Sequence, residues 1–249
     1  MVHLRNKEEI AKIRHSCRIV SETLVELESM VKPGVTTREL DTAAEKIIRG
    51  KGGVPAFKGL YGFPATLCIS VNDEVVHGIP ADRILLEGQI VGIDVGAITD
   101  GYYGDHARTF EVGAVDEELR QLVVATRESL DLGIAAAVAG AAIGDIGYAV
   151  QQRAEQGGYG IVRELVGHGV GRKLHEDPQV PNYGSPGSGL ELQEGMCLAI
   201  EPMINMGTEK VFTEADGWTV KTMDGAPSAH FEHTIAITSN GPEVLSAYR

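Results

Sequence analysis

The feature that most constrains the fold of this chain is a short segment that occurs twice. Leu85–Asp94 reads LLEGQIVGID and Leu192–Glu201 reads LQEGMCLAIE, so each copy has a Glu-Gly turn, an apolar run and then a carboxylate. The two carboxylates lie 107 positions apart. This spacing predicts two similar halves related by a pseudo-twofold axis, each with an acid at the same strand position. A single short matched segment can also arise by chance.

Hydrophobic periodicity predicts an α/β fold of the α+β type, with antiparallel hairpins and covering helices. The first two predicted helices begin at capping boxes, Asn6 with Glu9 and Thr36 with Glu39. The predicted helices are 7–31, 37–49, 117–139 and 144–156. The predicted strands are Thr66–Val71, Ile90–Ala97, Tyr102–Val112 and about 161–167, 196–204, 209–213, 218–222 and 230–238. No linker divides the chain, so we expect one domain over residues 1–249.

Composition and charge exclude several classes of protein. The net charge of −13 repels phosphate backbones, so we expect no direct nucleic-acid specificity. Cys17, Cys68 and Cys197 are odd in number and widely spaced, which favours free thiols over a disulfide framework. No apolar run approaches 18 residues, and charged residues precede any apolar run at the start. We therefore expect a cytoplasmic protein with no signal peptide and no membrane span.

Two aspartates flank a predicted hairpin turn at Asp100-Gly101. If that turn has two residues, Asp94 lies opposite Ala107, and Gly96 lies opposite Asp105. The two aspartates are then diagonal neighbours on one face, with Cα atoms about 7–8 Å apart. They are either exposed hairpin residues or a pair held together by a divalent cation, since two close carboxylates repel.

Two further acids favour the cation. Glu201 follows an apolar run and precedes Pro202, and Glu232 begins the otherwise apolar segment EHTIAI. A buried carboxylate without a partner is costly, so acids in apolar strands are hard to explain as solvated residues.

Histidines in Gly-flanked loops complete the candidate site. His168 lies in GHGVG, His175 follows seven positions later, and His77 lies in VHGIP. One imidazole with four carboxylates is a hard, oxygen-rich ligand set that suits two divalent ions, Mn, Fe, Co or Zn. Two such ions activate a bridging water and stabilise the oxyanion of an attacked carbonyl. The weaker candidates are His3, His15, His106, His230 and His233.

Together these residues resemble the type I methionine aminopeptidase family over nearly the whole chain, from about Ile10 to Leu245. The order and spacing of the whole set carry the resemblance, since each piece alone is weak. The matching segments are VHGIP at 76–80, GIDVG at 92–96, GD at 104–105, GHGVG at 167–171, HEDP at 175–178, IEP at 200–202 and FEHT at 231–234. The resemblance implies a single catalytic domain with the pseudo-twofold pita-bread fold.

The resemblance also implies roles for individual residues. Asp94 would bind one metal ion, Asp105 and Glu232 would bridge both, and His168 and Glu201 would bind the other. His175 would hydrogen-bond the scissile carbonyl oxygen, His77 would contact the scissile nitrogen, and Glu201 would also shuttle a proton. A monovalent cation would lie near Asn72.

The family's pocket for an unbranched thioether maps onto Phe63, Cys68, Trp218 and Leu60. Leu60 and Leu174 stand where the family often has aromatic residues, and Phe57 and Tyr61 also differ from common members. The contributions of Phe57, Tyr61 and Leu174 to the pocket stay open, because aromatic and aliphatic residues at such positions can equally be core.

The activity implied is removal of the initiator methionine from nascent chains whose second residue is small, through attack of a metal-bridging hydroxide. The implied partners are nascent polypeptide N-termini and, transiently, the ribosome, with the enzyme a monomer. Two alternatives stay open. One is an Xaa-Pro peptidase, for which 249 residues leave no room for the usual further N-terminal domain. The other is a non-catalytic peptide-binding module on the same scaffold.

Overall fold

The computed structural model describes residues 2–247 and confirms the predicted helices. Both predicted capping boxes form, since the side chains of Asn6 and Thr36 accept the backbone N–H of Glu9 and Glu39. The first helix ends three residues earlier than predicted, ahead of Lys32-Pro33-Gly34. The helices are α1 (Lys7–Glu28), α2 (Thr37–Gly50), α3 (Glu117–Ala136) and α4 (Ile143–Gln156), with a 3₁₀ turn at Leu60–Gly62.

The strands are short except for one central hairpin. In chain order they are β1 (Val54–Pro55), β2 (Leu67–Val71), β3 (Glu74–Val76), β4 (Gln89–Thr99), β5 (Tyr102–Val112), β6 (Gly160–Ile161), β7 (Gly167–Gly169), β8 (Glu176–Val180), β9 (Cys197–Ile200), β10 (Met203–Asn205), β11 (Val211–Thr213), β12 (Val220–Thr222), β13 (Ser228–His230), β14 (Glu232–Thr238) and β15 (Gly241–Val244).

Three of the predictions are wrong because each predicted strand is two separate strands in the structure. The segment 161–167 divides into β6 and β7, 196–204 into β9 and β10, and 230–238 into β13 and β14. Pro202 supplies no backbone N–H, so the ladder of β9 stops there. The chain then enters a second, three-stranded sheet in the order β13-β10-β6. Strands β1, β3, β8 and β15 were not predicted, because they are short or, like Glu176–Val180, lack apolar alternation.

The largest sheet has a mirrored strand order that confirms the two halves. Among the described residues it has nine strands, and six of them pair in the order β2-β4-β5-β14-β9-β7, with each neighbouring pair antiparallel. The halves meet where β14 pairs with β5, with Glu232 opposite Ala107 and His233 opposite His106. Each half thus contributes an inner, a middle and an outer strand around one seam.

Each half also has its own hydrophobic core. Residues of α1 and α2 pack with β2 and β4 in one cluster, which includes Leu24, Leu40 and Ile93. Residues of α3 and α4 pack with β9 and β14 in another, which includes Leu130 and Ile235. The helices therefore cover one face of the sheet, and the other face is free to form a site.

Two predictions from composition can be compared directly with the structure. Within residues 2–247, each helix is too short or too polar to traverse a bilayer. Cys17, Cys68 and Cys197 are buried free thiols, as their odd number and spacing predicted.

Helix α1 lies directly on β5 at Gly104, so we expect Gly104→Ala to be destabilising. A Cβ atom on Gly104 would lie 2.4 Å from the backbone nitrogen of Cys17 and 2.6 Å from the carbonyl carbon of Ser16. Backbone atoms cannot rotate away, so the substitution should lower the free energy of unfolding by about 3 kcal/mol. Urea unfolding followed by circular dichroism measures this.

Gly50→Ala is the matched control. Gly50 is the last residue of α2, and within the described chain a Cβ there meets no atom within 4 Å. This variant should change stability by less than about 1 kcal/mol. Equal stability of both variants would contradict the close contact between α1 and β5.

Candidate metal centre

The first two candidate ligands come from the β4–β5 hairpin. Its turn has two residues, Asp100 and Gly101, with φ of +50° and +74°. Positive φ at both positions is the two-residue turn that suits the twist of a hairpin. The resulting register places Asp94 opposite Ala107 and Gly96 opposite Asp105, as predicted. The aspartates are therefore diagonal neighbours on one face of the sheet.

The other three candidate ligands come from the second half. Glu232 is the first residue of β14 and pairs with Ala107 of β5. His168 lies in β7 opposite Ala199 of β9, and Glu201 directly follows β9. Five successive strands of the sheet, β4, β5, β14, β9 and β7, thus each carry or immediately precede one candidate ligand.

These side chains converge on one point. One ligand atom each from Asp105, His168 and Glu232 lies within 4.8 Å of the others. The Nε2 atom of His168 is 3.8 Å from Oδ2 of Asp105 and 3.4 Å from Oε1 of Glu201. Asp94 and Glu201 line the same cavity as this group.

Several oxygens of this group have no partner. Among the described residues, the buried atoms Oδ1 of Asp94, Oδ1 of Asp105 and Oε1 of Glu232 accept no hydrogen bond. An unpaired buried polar atom costs about 1–3 kcal/mol, and more when the group is charged. Unpaired carboxylate oxygens that face one another are the donor set a divalent cation prefers, so these residues fit a metal site.

The protonation of the site depends on the same burial. Desolvation, and then repulsion from Asp105, raises the pKa of Asp94, Glu201 and Glu232 well above their ordinary values. Burial likewise raises the pKa of Asp105 to about 7. A cation among the four groups would reverse this effect, because it stabilises the ionised form of each carboxylate.

His168 presents its ligand nitrogen toward the carboxylates. Its Nδ1 lies 3.0 Å from the carbonyl oxygen of Gly169, which can only accept, so Nδ1 carries the proton of the neutral ring. Burial lowers the pKa of His168 to about 4, which keeps the ring neutral at neutral pH. Its Nε2 lone pair is therefore free to bind a metal ion.

His77 and His175 lie beside the carboxylates and line the same cavity. The ring of His175 packs edge-on against His168, with ring centroids 4.5 Å apart. His77 is half-buried in a left-handed backbone conformation with φ of +60°. Desolvation lowers the pKa of both rings, that of His77 to about 4, so both are neutral hydrogen-bonding groups at neutral pH.

A small apolar pocket adjoins the candidate ligands. Phe63 and Trp218 form one wall as an edge-to-face pair, with ring centroids 5.1 Å apart. Buried Cys68 and half-buried Leu60 also line the cavity. The whole cavity, including the space beside the candidate ligands, measures about 150 Å³, below the usual 300–1,000 Å³ of small-molecule sites. Its apolar part therefore has room for no more than one side chain.

The structure also locates the three residues whose pocket roles were open. Phe57 and Leu174 are buried in the cluster that forms the pocket. Tyr61 is 77% exposed and lies parallel to His175, with ring centroids 6.3 Å apart. All three line the cavity, Tyr61 at its mouth.

The main residue that sequence reasoning undervalued is His230. It is buried, and its Nε2 lies 3.7 Å from Oε2 of Glu201. The signal for it was its position two residues before Glu232, which places both side chains on one face of an extended segment.

The two other inner histidines lie on the opposite face of the sheet. His106 follows Asp105, and His233 follows Glu232, so their side chains alternate away from the carboxylates. Their ring centroids are 4.5 Å apart, and Nδ1 of His233 is 2.8 Å from Oγ of Ser246. They help to join the seam between the halves.

Asn72, the predicted neighbour of a monovalent cation, is engaged in hydrogen bonds. Its Oδ1 accepts the backbone N–H of Ile90, and its carbonyl oxygen accepts that of Ser228. A cation there would have to share these oxygens, so this site stays a prediction.

Residues 11–239 match the metallopeptidase family M24, and the chain belongs to that family. Over 99% of both chains, it is 50% identical to a methionine aminopeptidase of Clostridium acetobutylicum. It is 48% identical to methionine aminopeptidase 1 of Bacillus subtilis, also over 99% of both chains.

Solved structures agree with this placement. A methionine aminopeptidase crystal structure from Thermotoga maritima has a TM-score of 0.98 and 44% identity over 100% of both chains. A prolidase from Pyrococcus furiosus has a TM-score of 0.80 and 25% identity, covering 99% of this chain but 66% of the prolidase. The fold is therefore the pita-bread fold that the resemblance implied.

Asp105→Asn tests the metal centre. The amide keeps the shape of the side chain but removes the charge at the middle of the cluster. We expect the affinity for Mn²⁺, measured by calorimetry on metal-stripped protein, to fall at least 100-fold, since even outer-shell changes cost about 10–100-fold.

Asp116→Asn is its control, because Asp116 is exposed and its side chain makes no capping hydrogen bond at α3. Its Mn²⁺ affinity should equal that of the unaltered protein. If Asp105→Asn also kept this affinity, Asp105 would not be a ligand.

Proposed function

We propose that this chain removes the N-terminal methionine from newly made proteins when the second residue is small. The observation that carries the proposal is that the five predicted ligands converge beside a pocket for one side chain. Relatives named methionine aminopeptidase, about 50% identical over full length, support the same activity.

The proposed metal ligands follow the order of the strands. Asp94 would hold one ion, Asp105 and Glu232 would bridge, and His168 and Glu201 would hold the other. Two divalent ions in such a site supply Lewis-acid polarisation of the scissile carbonyl and an activated water. Ligand type alone does not select among Co, Mn, Fe and Zn, because cellular availability decides.

The chain's own groups would orient the substrate and move protons. His175 lies at the cavity as a neutral imidazole, so its N–H can donate to the scissile carbonyl oxygen as charge develops there. His77, also neutral, would contact the nitrogen of the bond that breaks. Glu201 lines the same cavity, so its carboxyl group would take up a proton and pass it to the departing amine.

The pocket would provide the preference for methionine. Sulfur contacts with aromatic rings are favourable, and Phe63 and Trp218 offer ring edges and faces. An unbranched thioether side chain would occupy the apolar part of the cavity, which these rings line together with Leu174 and Cys68. Side chains that branch at Cβ should be excluded.

The two alternatives are less well supported. The similarity of the fold to a prolidase would support an Xaa-Pro peptidase. However, the chain is 25% identical to that prolidase and 44–50% identical to the methionine aminopeptidases. A non-catalytic module requires no convergence of acids, whereas here three ligand atoms lie within 4.8 Å and buried oxygens lack partners.

The proposed setting is the cytoplasm, where nascent chains emerge from the ribosome. The enzyme would act there as a monomer with one catalytic domain. Its partners would be nascent N-termini beginning with Met and, transiently, the ribosome. The net charge of −13 argues against sequence-independent binding of nucleic acid.

Peptide hydrolysis tests the proposal. Metal-stripped protein supplied with Mn²⁺ or Co²⁺ should release Met from Met-Ala-Ser, and a chelator should abolish the release. Peptides beginning Leu-Ala or Ala-Pro should be cleaved at least 100-fold more slowly. Chelator-insensitive cleavage, or a preference for the Ala-Pro peptide, would reject the proposed activity, and metal binding without turnover would favour the non-catalytic module.

His175→Ala should lower kcat for Met-Ala-Ser by about 10²–10³-fold, because it removes one donor to the developing oxyanion. The metal content should not change, since His175 is not among the proposed ligands. His15→Ala is the control, because His15 is an exposed residue of α1, and its kcat should be that of the unaltered protein. A kcat for His175→Ala within threefold of this control would remove His175 from the reaction.

A further inference from the structure

His230 is a buried side chain that the proposed reaction leaves without a role. Its residue is 3% exposed, and Nε2 has no hydrogen-bond partner among the described residues. An orphaned buried nitrogen of this kind is costly and calls for an explanation.

The backbone holds His230 rigidly. Its N–H donates to Oγ1 of Thr109 at 2.9 Å, and its carbonyl oxygen accepts the hydroxyl of Thr109 at 2.8 Å. Strand β13 also pairs His230 with Met203, two residues after Glu201. The imidazole and the Glu201 side chain are therefore carried on strands fixed relative to each other.

The carboxylate of Glu201 lies between two imidazoles. Its Oε1 is 3.4 Å from Nε2 of His168, and its Oε2 is 3.7 Å from Nε2 of His230. The Nε2 of neutral His168 carries no proton, because its Nδ1 donates to Gly169. The unprotonated Nε2 of His168 and Oε1 of Glu201 thus face each other across the position proposed for an ion.

The relation of His230 to the Glu201 carboxylate differs from that of His168. Among the described residues, all five proposed ligands line one cavity and His230 does not, so its geometry is that of an outer residue. A neutral ring protonated at Nε2 can donate to Oε2, and a rotation of the carboxylate closes the 3.7 Å gap to hydrogen-bond length. This contact would satisfy the orphaned nitrogen.

We infer that His230 is a positioning residue, whose Nε2–H donates to Oε2 of Glu201 and so directs Oε1 toward the ion shared with His168. The inference rests on the proposed role of Glu201 as a metal ligand. Outer groups that bond to a ligand fix its orientation, and their loss typically weakens metal binding about 10–100-fold.

The test compares His230→Leu with His230→Gln in the full chain. Leucine fills the site without a donor, whereas the glutamine amide can place an N–H near the position of Nε2. We expect the Mn²⁺ affinity, measured by calorimetry, to fall 10–100-fold in the leucine variant and to stay within threefold in the glutamine variant. With Mn²⁺ saturating, kcat for Met-Ala-Ser should fall in the leucine variant, while KM should change little.

Several outcomes would overturn the inference. Mn²⁺ affinity of the leucine variant within threefold of the unaltered protein would show that the donor is not needed. Equal losses of Mn²⁺ affinity in both variants would show that metal binding requires the imidazole ring itself and not only a hydrogen-bond donor. One fewer imidazole around Mn²⁺ in the glutamine variant, measured by X-ray absorption, would show the same. Should the leucine variant fail to fold, His230→Asn replaces it, because its shorter amide cannot reach Oε2 and should show the same loss.

Glu201→Gln separates this inference from the proposed function. If that variant binds Mn²⁺ normally, the assignment of Glu201 as a ligand fails, and the role of His230 fails with it. If Glu201→Gln loses Mn²⁺ while both His230 variants keep it, only the positioning role is wrong.

Discussion

The structure depends on one electrostatic constraint: four carboxyl groups, on two buried and two half-buried residues, lie together around the seam between the two halves. Their desolvation and mutual repulsion oppose folding in the ionised form, and buried oxygens of three of them accept no hydrogen bond among the described residues. A divalent cation converts this repulsion into attraction. The site is therefore costly to fold without a cation, and the rest of the structure holds its geometry.

The fold supplies that geometry through rigid strands. Each half packs its two helices against its own strands, and within the largest sheet the halves join where β5 pairs with β14. A second strand pairing, between β3 and β12, also links them. Because four strands of the largest sheet each carry a candidate ligand and β9 immediately precedes a fifth, the spacing of the candidate ligands follows from sheet geometry rather than from long loops. Side chains on the opposite face, His106 and His233, contact each other across the same seam.

The groups that would meet the substrate have a different origin. His77 and His175 lie outside the regular strands, and Phe63, Leu60 and Trp218 come from turns beside the cavity. The candidate metal centre thus lies on the strands of the largest sheet, while the walls of the pocket come from connecting segments. Preference for the substrate's side chain can vary through those segments without disturbing the ligands.

The sequence alone determined the helices, the β4–β5 register and the set of candidate ligands, because these depend on local periodicity, on a two-residue turn and on acids placed in apolar runs. It did not reveal the interruption at Pro202, the short edge strands or the place of His230, since these depend on pairing between distant segments. Only the tertiary structure decided which side chains share the cavity. A carboxylate's position along a strand is a local property, whereas the distance from Glu201 to His230 depends on how β9, β10 and β13 pack together.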